Sequence, residues 1–180
     1  MTITIDKKGY GFQDMKFVLS ALEDDERLIT PLKYAHVENG MVICTDGHRM
    51  HTFSPDPELL AIPDGNYTVK QGKDFIILDP VPDVNFPQWK NVFEPAGNGA
   101  RFFAGTVQNN KRQNNHFMEK VLGIASFHFD GTATLNMDYL KPLIIDECEW
   151  YITCNEAGKS PGPIRFDNCT KSAVIMPVRI

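Results

Sequence analysis

Leu32-Lys33-Tyr34-Ala35-His36-Val37-Glu38-Asn39-Gly40-Met41-Val42-Ile43-Cys44 is the stretch that decides the fold class. Leu32 to Val37 and Met41 to Cys44 read as two strands. Asn39-Gly40 between them is a hairpin turn, because both residues tolerate φ > 0. Thr45-Asp46-Gly47-His48-Arg49-Met50 follows at once as a second tight turn with strand on either side. Strands joined by connections this short pair antiparallel.

Working outward, Thr2-Ile3-Thr4-Ile5 alternates as a first strand. Phe12, Met15, Val18, Leu19 and Leu22 recur at three- and four-residue steps and predict a helix. The acids Glu23 to Glu26 end it by opposing its dipole. Downstream, Pro55, Pro57 and Pro63 mark a surface connection, and Asn66 to Lys70 and Phe75 to Leu78 read as strands. Pro80, Pro82, Pro87 and Pro95 surround Phe86 and Trp89, which predicts an extended segment pinned by its aromatics.

Arg101 to Val107 reads as a strand, and Gln108 to Asn115 as a polar loop carrying Lys111 and Arg112. Asn115 is the expected cap of a short helix holding Phe117, Val121 and Leu122. Ser126 to Phe129 and Thr132 to Leu135 are expected to form a hairpin around Asp130-Gly131. Asn136 then caps a helix through Leu140, Leu143 and Ile144, distorted by Pro142 and closed by Asp146-Glu147. Trp150 to Cys154, Ile164 to Phe166 and Ala173 to Arg179 are the last strands. Strand, helix, acidic turn and three strands thus occur once near each end. The order predicts an α+β fold with two similar strand–helix–strands halves and two helices packed on antiparallel sheet.

A chain of 180 residues with 42% hydrophobic content has the mass for a core in one domain, or at most two small ones. A net charge of −5 argues against coating nucleic acid by bulk charge and leaves room only for a local basic face. No apolar run reaches the roughly 18 residues that span a bilayer, so no membrane partner is expected. Met1 to Asp6 lacks the basic-then-apolar order of a signal peptide, which makes the cytoplasm the expected location. Cys44, Cys148, Cys154 and Cys169 form no C-x-x-C pair, and His48 and His51 alternate across a strand; neither a metal nor a cofactor is expected. Cys44 and Cys154 read as small buried hydrophobes.

Four segments together resemble one family, the bacterial DNA polymerase III beta subunit or sliding clamp. Thr45-Asp46-Gly47-His48-Arg49-Met50 resembles its TDGHRL turn, and Asn85-Phe86-Pro87-Gln88-Trp89-Lys90-Asn91-Val92 its FPDY-type segment at a domain junction. Leu135-Asn136-Met137-Asp138-Tyr139-Leu140 resembles the phrase before its final helix. Ala173-Val174-Ile175-Met176-Pro177-Val178-Arg179-Ile180 is similar to its VVMPMRL ending. The segments come in the family's order, which no single one would make specific.

The resemblance implies a single clamp-like domain over residues 1–180, with an insertion around 63–100. The family's chain has three clamp domains and closes its ring as a dimer. A chain with length for one such domain would need six copies, a homo-oligomer, to do the same. The implied function is a non-catalytic processivity or protein-docking factor, accessory to a DNA polymerase. Its partners would be DNA polymerase or other replication and repair proteins, which insert a short hydrophobic peptide into a cleft. The implied cleft residues are Gly47, His48, Arg49, Met50, Met176, Pro177, Val178, Arg179 and Ile180. Met50, Met176, Val178 and Ile180 would supply apolar contact, and Arg49 and Arg179 donors to peptide carbonyls.

Double-stranded DNA is the other implied partner, through Lys7, Lys8, Lys16, Lys111, Arg112 and Lys141 on phosphates. A competing reading is an interaction module derived from a clamp that never encircles DNA. An enzyme is the weaker third: there is no G-x-S-x-G, Walker loop or H-E-x-x-H, and no nucleophile accompanies Asp46 and His48 by sequence.

Overall fold

The computed structural model describes residues 1–23, 30–108, 110–130, 132–144, 147–154 and 162–179. It divides into two compact units, Met1–Pro87 and Gln88–Ile180. The boundary falls inside the Asn85–Val92 segment and inside the stretch 63–100 read as an insertion.

The first unit runs β1 (Ile3–Asp6), α1 (Phe12–Leu19), β2 (Ala35–Glu38), β3 (Met41–Thr45), β4 (Arg49–Phe53), β5 (Gly65–Gln71) and β6 (Phe75–Val81). Its strands pair antiparallel in the order β1-β6-β5-β2-β3-β4. The turn that the sequence singles out is formed: Asn39 and Gly40 take φ of 52° and 74°, and Glu38 pairs with Met41. The Asp64 carboxylate accepts from both turn amides, at 3.1 and 3.3 Å. Leu32 does not begin a strand. Pro31–Lys33 is a 3₁₀ turn, since Pro31 is preset for a first helical position, and β2 starts at Ala35.

Helix α1 buries Phe12, Met15, Phe17, Val18 and Leu19 against β3 and β4. It stops at Leu19, short of Leu22, because the amides of Ala21 and Leu22 bond three residues back, at 3.1 Å each. Asp24 to Glu26, the rest of the acidic run, lie outside the described residues. The inner end of α1 is held by His51 of β4, which is fully buried and stacks on Phe17 at 4.5 Å. Its Nδ1 lies 2.9 Å from the Phe17 carbonyl oxygen, and Ser20 Oγ donates to that same oxygen at 2.6 Å. His51 Nε2 has no hydrogen-bond partner among the described residues, which the neutral tautomer tolerates best. Phe86 stacks on His36 at 4.6 Å and Asn66 donates to the Val84 carbonyl, so this stretch is pinned by its aromatic as expected.

The second unit runs α2 (Lys90–Ala96), β7 (Ala100–Val107), α3 (Lys111–His128), β8 (Ala133–Thr134), α4 (Met137–Leu140), β9 (Cys148–Cys154), β10 (Ile164–Asp167), β11 (Lys171–Ile175) and β12 (Val178–Arg179). Four strands pair antiparallel in the order β11-β10-β9-β7, and β12 pairs with β8. The α+β expectation therefore holds: among the described residues the strands pair antiparallel and there are four α-helices rather than two.

Three local expectations are corrected here. The segment around Trp89 turns helical: Trp89, Phe93 and Ala96 repeat at four and three residues and are buried on one face of α2, a pattern the prolines masked. Of the expected loop Gln108–Asn115, Lys111 to Asn115 are helical. Asn110, not Asn115, is the cap, its side chain accepting from the Arg112 amide at 3.0 Å, and Asn115 lies inside an 18-residue helix. Phe117, Val121, Ala125 and Phe129, buried four residues apart, extend that helix over Ser126–His128, where a hairpin strand was expected. Asp130 takes φ 49° as the left-handed stop of a helix, a role that an Asp-Gly pair serves as well as a hairpin; Gly131 lies outside the described residues.

The remaining elements follow the sequence more closely. Asn136 caps α4, accepting from the Asp138 amide at 2.9 Å, and Pro142 sits in a 3₁₀ continuation, Lys141–Ile144. The Trp150 indole, on β9 and 1% exposed, donates to the Leu143 carbonyl of that turn at 2.9 Å. Ala173–Arg179 is not one strand: Met176-Pro177 interrupts it, since proline cannot donate to a ladder, and β12 turns to pair with β8. Asp146 lies outside the described residues.

Burial lowers the His51 pKa from 6.5 to about 4, against the opposing pull of the Phe17 carbonyl. Between pH 6.5 and 4 the unfolded chain takes up a proton that folded His51 refuses, so stability falls as pH falls through this window. The loss attributable to His51 should approach about 3 kcal/mol by pH 4. Urea unfolding at a series of pH values checks this: the slope below pH 6.5 should shrink in His51→Gln.

Candidate functional site

The 45–50 turn is built by its own side chains. Gly47 takes φ +87°, open to glycine at little cost. Asp46 Oδ1 accepts from the amides of His48 and Arg49, each at 2.9 Å, and Oδ2 accepts from Arg49 Nε at 2.9 Å. Thr45 Oγ1 donates to the Arg49 carbonyl at 2.7 Å and accepts from the Gly47 amide. The Asp46 carboxylate, the Thr45 hydroxyl and the amides of Gly47, His48 and Arg49 are thereby satisfied within the turn.

This geometry sorts the expected cleft residues. Gly47 and His48 are exposed at the tip. Arg49, its side chain 16% exposed, holds Asp46 through Nε, so that donor is spent within the turn. Met50 is buried in the first unit rather than displayed. Asp46 as partner of an acid–base pair with His48 loses its motive too, since both carboxylate oxygens are engaged by Arg49 and by backbone amides. The structural role of Asp46 was missed from sequence. An Asp directly before Gly in a hairpin is the signal, because its carboxylate reaches amides two and three residues on.

The tail belongs to the second unit. Met176 and Val178 are 38% and 48% exposed, and Pro177 is half-buried between them. Val178 pairs with Thr134 and Arg179 with Ala133, so the tail's backbone is held while its apolar side chains face out. Ile180 lies outside the described residues.

The expected DNA-contacting cations differ in their surroundings. Lys7 pairs with Asp74 at 3.0 Å and Lys141 with Asp138 at 2.5 Å. Lys16 lies 6.0 Å over the Phe12 ring, and Lys8 is exposed. Lys111 and Arg112 are the first two residues of α3, and the helix N-terminus favours anions there as the Arg112 guanidinium does. The thiols of Cys44 and Cys154 are buried, and burial raises both; Cys154 is pushed up to about 12, which leaves it protonated and unreactive.

The whole chain superposes on bacterial DNA polymerase III beta subunits. The fold is that of a sliding clamp. The Borrelia burgdorferi subunit, solved in complex with a natural product, matches with a TM-score of 0.61 at 12% identity, over 100% of this chain and 63% of that one. The Pseudomonas aeruginosa clamp bound to griselimycin gives 0.57 at 15% over 100% and 66%. The Streptococcus pneumoniae beta chain gives 0.56 at 12% over 100% and 65%. The chain thus spans just under two thirds of the length of these clamps. No family model and no curated protein sequence matches it. Within the clamp fold, the TDGHRL-like turn is the β3–β4 hairpin, and the FPDY-like segment straddles the boundary between the two units.

Removing the carboxylate in Asp46→Ala should cost about 1–3 kcal/mol, because two amides and the Arg49 guanidinium lose their acceptor together. Gly47→Ala should cost about 1–2 kcal/mol through backbone strain alone, since the added methyl would meet only Leu32 Cδ1 at 3.8 Å. Chemical denaturation gives both values. Amide exchange at His48 and Arg49 should accelerate in the first variant; unchanged protection there would mean that the hairpin, not Asp46, holds the turn.

Proposed function

We propose that this chain is a non-catalytic, clamp-like processivity or docking factor in DNA replication, which recruits a polymerase or another replication or repair protein through a short hydrophobic peptide. The observation that carries the reading is the clamp fold over the entire chain. Added support comes from the sequence: a TDGHRL-like turn and a VVMPMRL-like ending, the two segments that the family uses for its peptide cleft. Gly47 and His48 present a rigid polar tip, and Met176 and Val178 present apolar side chains on a backbone already paid for by pairing with β8. Arg49, Met50, Pro177, Arg179 and Ile180 enter on the resemblance. Among the described residues no helix is long and apolar enough to cross a membrane.

Duplex contact would be weak, salt-sensitive and independent of sequence, through Lys8, Lys16, Lys111 and Arg112, with Lys7 and Lys141 released from their acidic partners. Encirclement requires a closed homo-oligomer. The second reading, a docking module that never encircles DNA, is favoured by one observation: two of the six expected cations are already neutralised by carboxylates, in a chain of net charge −5.

Two measurements test this. Deleting Val178–Ile180 should weaken a labelled clamp-binding peptide at least tenfold in fluorescence anisotropy, as trimming interface anchors costs about 1–4 kcal/mol. The melting temperature should move little, because a terminal two-residue pairing adds little global stability. Unchanged affinity sinks the cleft, and a collapsed melt makes the tail a structural strand. Light-scattering mass at micromolar concentration, with circular and then linear duplex, separates the two readings. A closed oligomer retained on circular DNA supports the clamp; a monomer indifferent to DNA supports the docking module.

A further inference from the structure

We propose that Asn98 is a site of spontaneous covalent modification, deamidation to aspartate and isoaspartate, and that the fold shields the chain's other Asn-Gly pair from the same reaction. The chemistry needs neither the docking role nor DNA. Asparagine followed by glycine is the pairing most open to it, because glycine has no Cβ to screen its amide nitrogen or restrict its backbone. The chain holds two such pairs, Asn39-Gly40 and Asn98-Gly99. In the reaction the Gly99 amide nitrogen gives its proton to hydroxide and attacks Cγ of Asn98. The bond from Cγ to the side-chain nitrogen breaks, and that nitrogen leaves as ammonia with a proton from water. A five-membered succinimide remains, which a water molecule opens at either carbonyl. Opening at Cγ gives aspartate; opening at the backbone carbonyl gives isoaspartate, whose main chain is longer by a methylene. On either route amide and water become carboxylate and ammonium, and the chain gains a negative charge.

Exposure does not separate the two pairs, since all four residues are exposed. The hold on the backbone does. Ring closure demands rotation about ψ and χ1 of the asparagine until the glycine nitrogen meets Cγ. In the β2–β3 turn, Asn39 and Gly40 are fixed at φ of 52° and 74°, and Glu38 pairs with Met41 across them. Asp64 accepts from the Asn39 amide at 3.1 Å and from the Gly40 amide at 3.3 Å. The second of these bonds opposes the chemistry itself: it favours the protonated amide, and the carboxylate's charge disfavours the amide anion. Asn98 and Gly99 lie instead between Ala96, where α2 ends, and Ala100, where β7 begins, in neither helix nor strand. The Asn98 amide donates to the Pro95 carbonyl at 3.1 Å, a bond that leaves ψ and χ1 of Asn98 free to turn. Among the described residues nothing bonds the Gly99 amide or the Asn98 side chain.

The test is to age the full chain in warm, mildly alkaline buffer and follow two tryptic peptides, Tyr34–Arg49 and Asn91–Arg101, by chromatography and tandem mass spectrometry. Asn98 should gain the mass increment of deamidation, divided between aspartate and isoaspartate peaks, about tenfold faster than Asn39, which must first open its hairpin. In urea, where neither pair is held, the two rates should converge. Asp64→Ala should speed the reaction at Asn39 alone, and Gly99→Ala should slow it at Asn98 alone; a thermal melt of each variant checks that it is folded while it ages. Three results overturn the proposal: Asn98 unchanged on ageing; Asn39 reacting as fast as Asn98 in the folded chain; or a difference between them that survives in urea. The last would make the contrast a property of flanking sequence and not of the fold.

Discussion

A ring N–H from a sheet strand takes up a helix-end carbonyl in each of the two units. In the first, the imidazole of His51 on β4 reaches the Phe17 carbonyl near the end of α1. In the second, the indole of Trp150 on β9 reaches the Leu143 carbonyl in the 3₁₀ turn after α4. The last carbonyls of a helix have no partner within it, and a buried one without a partner is costly. A flat ring fills space between helix and sheet while its N–H adds a donor to that carbonyl, in the first unit beside Ser20 Oγ. Both rings are almost wholly buried, so neither can shift without opening the core around it. Helix position and sheet face are set together by these contacts.

The same economy governs the surface features. The 45–50 turn satisfies its own amides through Asp46 and Thr45, and so stands as a rigid tip that needs no support from elsewhere. The tail is held by backbone pairing with β8, which leaves Met176 and Val178 outward. Preorganised elements of this kind lose little entropy on contact with a partner. The Lys7–Asp74 and Lys141–Asp138 pairs show the opposite tendency, cations spent inside the molecule at exposed positions where such pairing stabilises little.

Some elements could be read from the chain because their information is local. Asn39-Gly40 demands positive φ, Asn136 caps the helix it precedes, and the period of Phe12 to Leu19 admits one helical face. The misread elements had two local readings of similar strength. Lys111 to Asn115 is polar enough for a loop, yet it is the first turn of a helix whose apolar face begins only at Phe117. Asp130 serves a hairpin or a helix stop equally well, and the four-residue spacing of Phe117, Val121, Ala125 and Phe129 tips the balance through burial. The candidate site divides the same way. Its residue types were visible, but the burial of Met50 and the commitment of Arg49 to Asp46 are matters of packing.

What the sequence determined by itself was the class of architecture and the position of its tightest turns, since period, capping residues and φ requirements act over a few neighbours. It also carried the clamp resemblance, in four short segments in order. Only the tertiary structure decided which apolar residues stay outside. Phe102, Phe103 and Phe127 are indistinguishable from core residues in a strand or helix pattern, and their exposure depends on what the rest of the chain leaves uncovered. It likewise decided that the final apolar run divides at Met176-Pro177 and gives its last residues to β8. The pairing partner of a terminal strand lies far away in sequence, and no local preference encodes it.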